Sequence, residues 1–126
     1  MSSTDELAKF NSLTKDERVM SSGRIRAKYP SKVPIVLHRS AGNTAVPELS
    51  RFRYLVPVDL RVSELITVIR RNIKDSEFDE SKSLFLIINN SVMPSSSQTV
   101  AELDQLYKNE DGFLYMNYSG ENTFGA

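Results

Sequence analysis

The chain has no cysteine. That absence excludes a disulfide scaffold, a thiol nucleophile and thiolate metal sites, and it fits a reducing compartment. Histidine is nearly as scarce. His38 stands alone beside Arg39 at the end of an apolar run, with no second imidazole for a metal site and no identifiable nucleophile to activate, which favours a structural or solvated role. The five glycines are scattered and build no phosphate-cradling loop. Ser95-Ser96-Ser97 lacks the Gly-x-Ser-x-Gly frame of a nucleophile elbow. Together these gaps argue against an enzyme, and no pocket of convergent ionisable groups is expected. Long apolar runs are missing too. The longest, Leu84 to Ile88, has five residues, against the roughly 20 of a transmembrane helix. Residues 1–20 are polar and mixed in charge, unlike a secretory signal. A membrane role would have to come from modification or from a partner.

Net charge is also absent, since 16 Lys and Arg balance 16 Asp and Glu over 126 residues. The distribution is uneven. Residues 1–57 hold ten basic and five acidic side chains, and residues 58–126 hold six and eleven, so the halves carry +5 and −5. This suggests a basic face for acidic partners, with scattered solvated charge as the alternative. No basic stripe interleaved with aromatics points to nucleic acid. The length and a hydrophobic content of 40% fit one globular domain with a core of its own.

Capping-box spacings mark three helix starts: Ser3 with Glu6, Thr14 with Glu17, and Thr99 with Glu102. They open a short helix at about 4–10, a second running to about Lys28 before Pro30, and a third carrying Leu103, Leu106 and Tyr107. The second is thin in apolar residues, with Val19, Ile25 and little else, so it should lie over a sheet rather than form a central core. The clearest helix is 62–73, where Val62, Leu65, Ile66, Ile69 and Ile73 share one face. Val33 to Leu37 reads as a buried strand, and Pro34 suits a strand start or an edge. Residues 40–47 and 75–83 read as polar loops. In 51–57, alternation puts Arg51, Arg53 and Leu55 on one face and Phe52, Tyr54 and Val56 on the other. Leu84 to Ile88 has the continuity of a fully buried central strand. A last strand, 113–118, follows the turn Glu110-Asp111-Gly112. The order α, α, β, β, α, β, α, β gives an α+β domain.

The chain ends Tyr118-Ser119-Gly120-Glu121-Asn122-Thr123-Phe124-Gly125-Ala126. A strand that runs into a polar terminus leaves that terminus at the surface. Gly125, without a Cβ, can enter a channel too narrow for other residues. This ending resembles that of the ubiquitin-like autophagy modifiers, the family that includes the GABA-receptor-associated protein. So do Arg24-Ile25-Arg26-Ala27-Lys28-Tyr29-Pro30-Ser31-Lys32-Val33-Pro34, Tyr54-Leu55-Val56-Pro57 and the Leu84–Asn90 strand and turn. The four blocks, in order, span about residues 22–125.

The resemblance implies a ubiquitin-like β-grasp roll, a four-stranded mixed sheet around one long helix, preceded by two N-terminal helices. Residues 1–30 would form a helical extension packed on the core, 31–118 the core, and 119–126 a flexible tail. It implies a modifier and not an enzyme, with no cofactor or metal. A processing cysteine protease would remove Ala126. Activating and conjugating enzymes would carry Gly125 as a thioester, and Gly125 would end as an amide on phosphatidylethanolamine. The protein would be cytoplasmic and a monomer in solution, then held on autophagosomal membranes after lipid attachment.

Cargo receptors and adaptors would bring an aromatic-x-x-aliphatic motif as an added strand along 51–56. On transfer, the aromatic pocket is Ile25, Pro34, Arg53, Leu55 and Phe113. The aliphatic pocket is Tyr54, Val56, Pro57, Leu60, Leu65 and Val68. Lys32, Arg51 and Arg53 would meet an acidic flank. For Pro34, Leu65 and Val68, plain core packing is the competing reading, and for alternating arginines on an edge strand it is protection against aggregation. The chain departs from the family pattern where Ser21 and Ser22 replace an acidic residue, Phe52 a lysine, Arg61 a helix-capping threonine and Leu65 a phenylalanine. A peptide-binding adaptor that is never conjugated is the alternative function.

Overall fold

The computed structural model describes residues 3–41, 46–49, 51–73, 78 and 82–120. Gly125 and Ala126, on which the attachment chemistry was placed, lie outside the described residues. The elements are α1 (Ser3–Ser12), α2 (Lys15–Lys28), β1 (Lys32–Arg39), β2 (Arg53–Pro57), α3 (Val62–Asn72), β3 (Phe85–Ile88), α4 (Val100–Tyr107) and β4 (Leu114–Ser119).

The four strands form one mixed sheet in the order β2-β1-β4-β3. β1 runs antiparallel to β2 and parallel to β4, and β3 runs antiparallel to β4. One expectation is corrected here, and one left with two alternatives is decided. The apolar Leu84–Ile88 segment supplies a marginal strand, not a central one. Leu86 and Ile88 are buried because they join the α3-side core; burial follows what covers a face, not position in the ladder. Conversely, β1 is interior despite Pro34. Leu37 donates its amide to Phe52 and Ser40 donates to Tyr118, so even-numbered amides of β1 face β4. Pro34 falls one residue ahead of Ile35↔Leu114, where β4 pairing begins, and its missing N–H breaks no ladder bond.

Alternation splits the side chains between two cores. Val33, Ile35, Leu37, Tyr54, Val56, Leu114, Met116 and Tyr118 face the α3 side, where Val62, Leu65 and Ile69 meet them. Val36 and Phe113 face the other way, against Phe10 of α1, with Ile25 of α2 and Tyr115 packed alongside. The expected grouping of Phe52 with Tyr54 and Val56 fails. Phe52 joins Phe10 and Phe113 on the opposite face, because the strand begins only at Arg53 and period-two alternation does not govern the residue before it.

Two of the three helix starts marked by capping-box spacing show the expected chemistry. The Thr14 hydroxyl accepts from the Glu17 amide while Glu17 accepts from the Thr14 amide, and Thr99 accepts from the Glu102 amide. Arg61 offers no side-chain acceptor to α3. Its own amide donates to Glu64, and the Val62 and Ser63 amides donate to the Gln98 and Ser96 carbonyls. The first amides of α4, at Val100 and Ala101, donate in turn to Leu60 and Val58. The loop before each helix thus satisfies the amino terminus of the other.

Candidate functional site

β2 lies at the margin of the sheet and alternates exposed, buried, exposed, buried, exposed from Arg53 to Pro57. Arg53 and Leu55 project toward the face covered by α2, and Tyr54 and Val56 toward α3. All five residues expected for an aromatic pocket meet here. Ile25 from α2, Pro34 from β1, Arg53 and Leu55 from β2, and Phe113 ahead of β4 line one cavity of about 210 Å3. Leu55 keeps 36% of its surface exposed, while Phe113 keeps 1% and is buried at the base. Drug-sized ligand pockets run to roughly 300–1,000 Å3; this one suits a single large side chain.

Sequence reasoning missed two of its features. Tyr29, which caps the end of α2, also lines it, although it lies within the Arg24–Pro34 block. The other is Phe10. The Arg53 guanidinium carbon sits 5.2 Å from the Phe10 ring centroid and 5.4 Å from that of Phe113. Both rings offer their electron-rich faces to the cation, so α1 helps set where Arg53 stands.

The residues expected for an aliphatic pocket divide by depth. Tyr54, Val56 and Leu65 are buried in the α3-side core, Leu65 with only 1% exposure. Leu60 packs against that core, Val68 is half-buried one turn along α3 from Leu65, and Pro57 is exposed at the strand end. The Tyr54 hydroxyl is buried without a hydrogen-bond partner, and burial raises its pKa above the usual tyrosine value. Of the expected basic contacts, Arg51 and Arg53 stand together at the start of β2. Lys32 is opposite Pro57, whereas Arg53 is opposite Val36. Four residues of strand, about 13 Å, separate the two ends.

The α2 wall of the cavity is held by polar bonds. Its buried residue is Ser22, whose hydroxyl donates to the Asp111 carbonyl at 2.6 Å. A small donor is therefore placed inside the fold at this point of α2. Val19 and Met20 are exposed. Arg18 pairs with the Asp111 carboxylate, which also accepts from the Phe113 amide and the Tyr115 hydroxyl. Burial, then that carboxylate, raise the Tyr115 pKa well above the usual value. Arg26 spans Asp104 with two bonds of 2.8 Å and reaches the Gly112 carbonyl, the geometry that a planar guanidinium supplies and lysine does not.

His38 lies on the same sheet face, toward the end of β1, in a cavity with Arg39, Glu48 and Arg51. Its Nε2 is buried without a partner, and burial holds its pKa below the usual 6.5.

Residues 17–125 match the family model described as "Autophagy protein Atg8 ubiquitin like". An autophagy-related protein 8-like protein of Dictyostelium discoideum is 39% identical over 111 residues, covering 88% of this chain and 87% of its own. Autophagy-related protein 8b of Arabidopsis thaliana is 43% identical over 109 residues, covering 86% and 85%. The crystal structure of Trypanosoma brucei ATG8 superposes with a TM-score of 0.78 at 36% identity, covering 90% of this chain and 94% of that one. This confirms the ubiquitin-like α+β fold. The chain belongs to the Atg8 family of ubiquitin-like autophagy proteins.

Proposed function

We propose that the protein is a modifier rather than an enzyme, processed after Gly125 and joined through it to phosphatidylethanolamine. On the autophagosomal membrane it then collects cargo receptors and adaptors through aromatic-x-x-aliphatic motifs. Before attachment it is a cytoplasmic monomer. The observation that carries the reading is the β2 margin, a strand edge unpaired among the described residues, with the Ile25–Pro34–Leu55–Phe113 cavity on one side and the Leu60–Val68 surface on the other.

That geometry accounts for the motif's spacing. Side chains along an added strand alternate between faces, so residues three apart point to opposite sides. An aromatic side chain directed to the α2 face therefore brings an aliphatic one, three residues later, to the α3 face. The aromatic pocket is near the start of β2 and the aliphatic one near its end, so the peptide runs parallel to β2. Main-chain bonds supply affinity and the two pockets supply specificity. Acidic residues ahead of the aromatic face Arg51 and Arg53, and those after the aliphatic residue approach Lys32.

The attachment half of the reading is supported by the family match, which runs to Gly125 and leaves Ala126 beyond it. A phospholipid brings two acyl chains, enough for stable anchoring where one is marginal. Incubation with the matching protease, the activating and conjugating enzymes and phosphatidylethanolamine liposomes tests it by mass spectrometry. Gly125→Ala abolishes the lipid adduct and leaves peptide affinity unchanged. An adduct on the Gly125→Ala protein overturns the attachment site, and a processed wild-type protein that never acquires lipid favours the unconjugated adaptor.

A further inference from the structure

α2 buries Ser22 and turns its opposite side to solvent. Asp16, Met20, Gly23 and Ala27 recur there at i, i+4, i+7 and i+11 and are all exposed, so they form one ridge along the helix. Val19 lies on one flank of the ridge, and Glu17, Arg24 and Lys28 lie on the other. Met20 keeps 57% of its surface exposed and Val19 41%. A single exposed apolar side chain is ordinary, but here two adjoin a glycine. A Cβ at Gly23 would meet nothing within 4 Å. No neighbour in the fold therefore requires the glycine, which weakens a helix interior relative to alanine. What it leaves is a notch one turn from a protruding methionine. The charges on this side are sorted by end. Asp16 and Glu17 stand in the first turn, and Arg24 and Lys28 toward the last. Arg18 and Arg26 are taken by Asp111 and Asp104, whereas Asp16, Arg24 and Lys28 enter no ion pair among the described residues.

We propose that two copies of the chain pair through this face of α2, antiparallel about a two-fold axis, with Met20 of each seated over Gly23 of the other. A two-fold contact is self-complementary, so one register must satisfy every pair twice. Placing Met20 over the second copy's Gly23 fills the notch on both sides and lets the two backbones approach closely. The same register sets Asp16 opposite the second copy's Ala27. It also brings Asp16 and Glu17 beside the second copy's Arg24 and Lys28, so the acidic start of each helix meets the basic end of the other. A parallel pairing would oppose like charges at both ends. Lys15, which this register carries toward the second copy's Lys28, is neutralised within its own chain by Glu110. One helix of 14 residues, about 21 Å long, covers less than the roughly 800 Å2 per partner of a standard stable interface. The contact is therefore weak. The dilute protein is a monomer, and pairing belongs to conditions that crowd copies together, such as attachment to one membrane.

Sedimentation equilibrium of the full chain tests the pairing, at concentrations up to about 1 mM to reach a weak dissociation constant. The unaltered protein should show a monomer–dimer equilibrium. Gly23→Leu fills the notch with no clash inside the monomer, so it should resist urea at least as well as the unaltered chain, yet its dimer should be weaker by about tenfold or more. Asp16→Lys should be monomeric alone, and so should the Arg24→Glu, Lys28→Glu double variant. Mixed, these two proteins should associate, because each supplies the sign that the other now needs. That recovery should fade in about 0.5 M salt, where exposed charges are screened. An unaltered protein that stays monomeric over the whole range overturns the proposal. So does a Gly23→Leu protein that dimerises as well as the unaltered one, since the contact then lies elsewhere. Charge variants that fail to recover on mixing overturn the antiparallel register and the proposal with it. Neither lipid nor peptide enters the experiment, so its failure leaves the proposed function standing.

Discussion

Gly112→Ala is a sharp perturbation because two independent costs meet at one atom. Gly112 has φ of +89° in the turn before β4, and an L-residue held in the left-handed region costs roughly 1–2 kcal/mol. The added Cβ would also stand 2.1 Å from the Ser22 hydroxyl and 2.9 Å from its Cβ. Ser22 must then swing out of its bond to the Asp111 carbonyl. The lost bond and the buried carbonyl left behind cost about 1–3 kcal/mol. The variant should be about 2–5 kcal/mol less stable in urea unfolding, by adding those two ranges. Ser22→Gly removes both opposing atoms. It carries its own cost of a lost bond and a weaker helix, but that cost appears in the single and double variants alike and cancels in the cycle. The double variant should therefore be about 1–3 kcal/mol more stable than the sum of the singles implies. Additivity within about 0.5 kcal/mol would refute the proposed contact. Peptide affinity should follow the same order, since Ser22 seats the helix that carries Ile25.

Leu55→Ala should act mainly on binding. Only 36% of Leu55 remains for a ligand to cover, and full burial of a leucine is worth about 1.5–3 kcal/mol, so the loss is about 0.5–1 kcal/mol, or twofold to fivefold in Kd by calorimetry. Unchanged affinity for an aromatic-x-x-aliphatic peptide would remove Leu55 from the pocket. His38 sets a pH dependence. Its folded pKa is depressed below 6.5, so the unfolded chain takes the proton first and stability falls as pH drops through that value. Urea unfolding should show a flat profile above about pH 7.5 and declining stability toward pH 5, with the slope reduced in His38→Gln. Glu17 and Glu110, whose pKa values are lowered by their partners Thr14 and Lys15, lose their contributions only as pH falls through 4.5 and below. An equal slope in the His38 variant would assign the transition elsewhere.

How much could be read from residues alone depended on whether a side chain belonged to a periodic run. α3 was legible because five apolar residues share one helical face, and β2 because Arg53 to Pro57 alternate within the ladder. Phe52 was misread by extending that alternation one residue past the strand. Val46 and Phe78 are buried in the α3-side core but sit in segments that read as polar loops. A lone apolar residue in a loop has no period to betray it. The position of β3 was hidden for a related reason: a continuous apolar run reports burial on both faces and says nothing of how many neighbours the strand has.

The aromatic pocket shows why a site can be named from sequence while its support cannot. Ile25, Pro34, Arg53, Leu55 and Phe113 belong to four separate segments, and family resemblance, not periodicity, joined them. Ile25 packs on the Phe10–Phe113 cluster, but the rest of α2 has little apolar hold, since it buries Ser22 and leaves Val19 and Met20 in solvent. The helix is fastened by Arg18 to Asp111, Ser22 to the Asp111 carbonyl and Arg26 to Asp104, pairs 78 to 93 residues apart. No hydrophobic pattern encodes such partners. These bonds also set the mechanics of the pocket. Charged bonds to a fixed turn demand particular geometry, so α2 has one seat rather than a range of nearly equal ones. A wall seated in this way keeps the cavity formed in the free protein, which would lower the ordering cost of the proposed peptide binding.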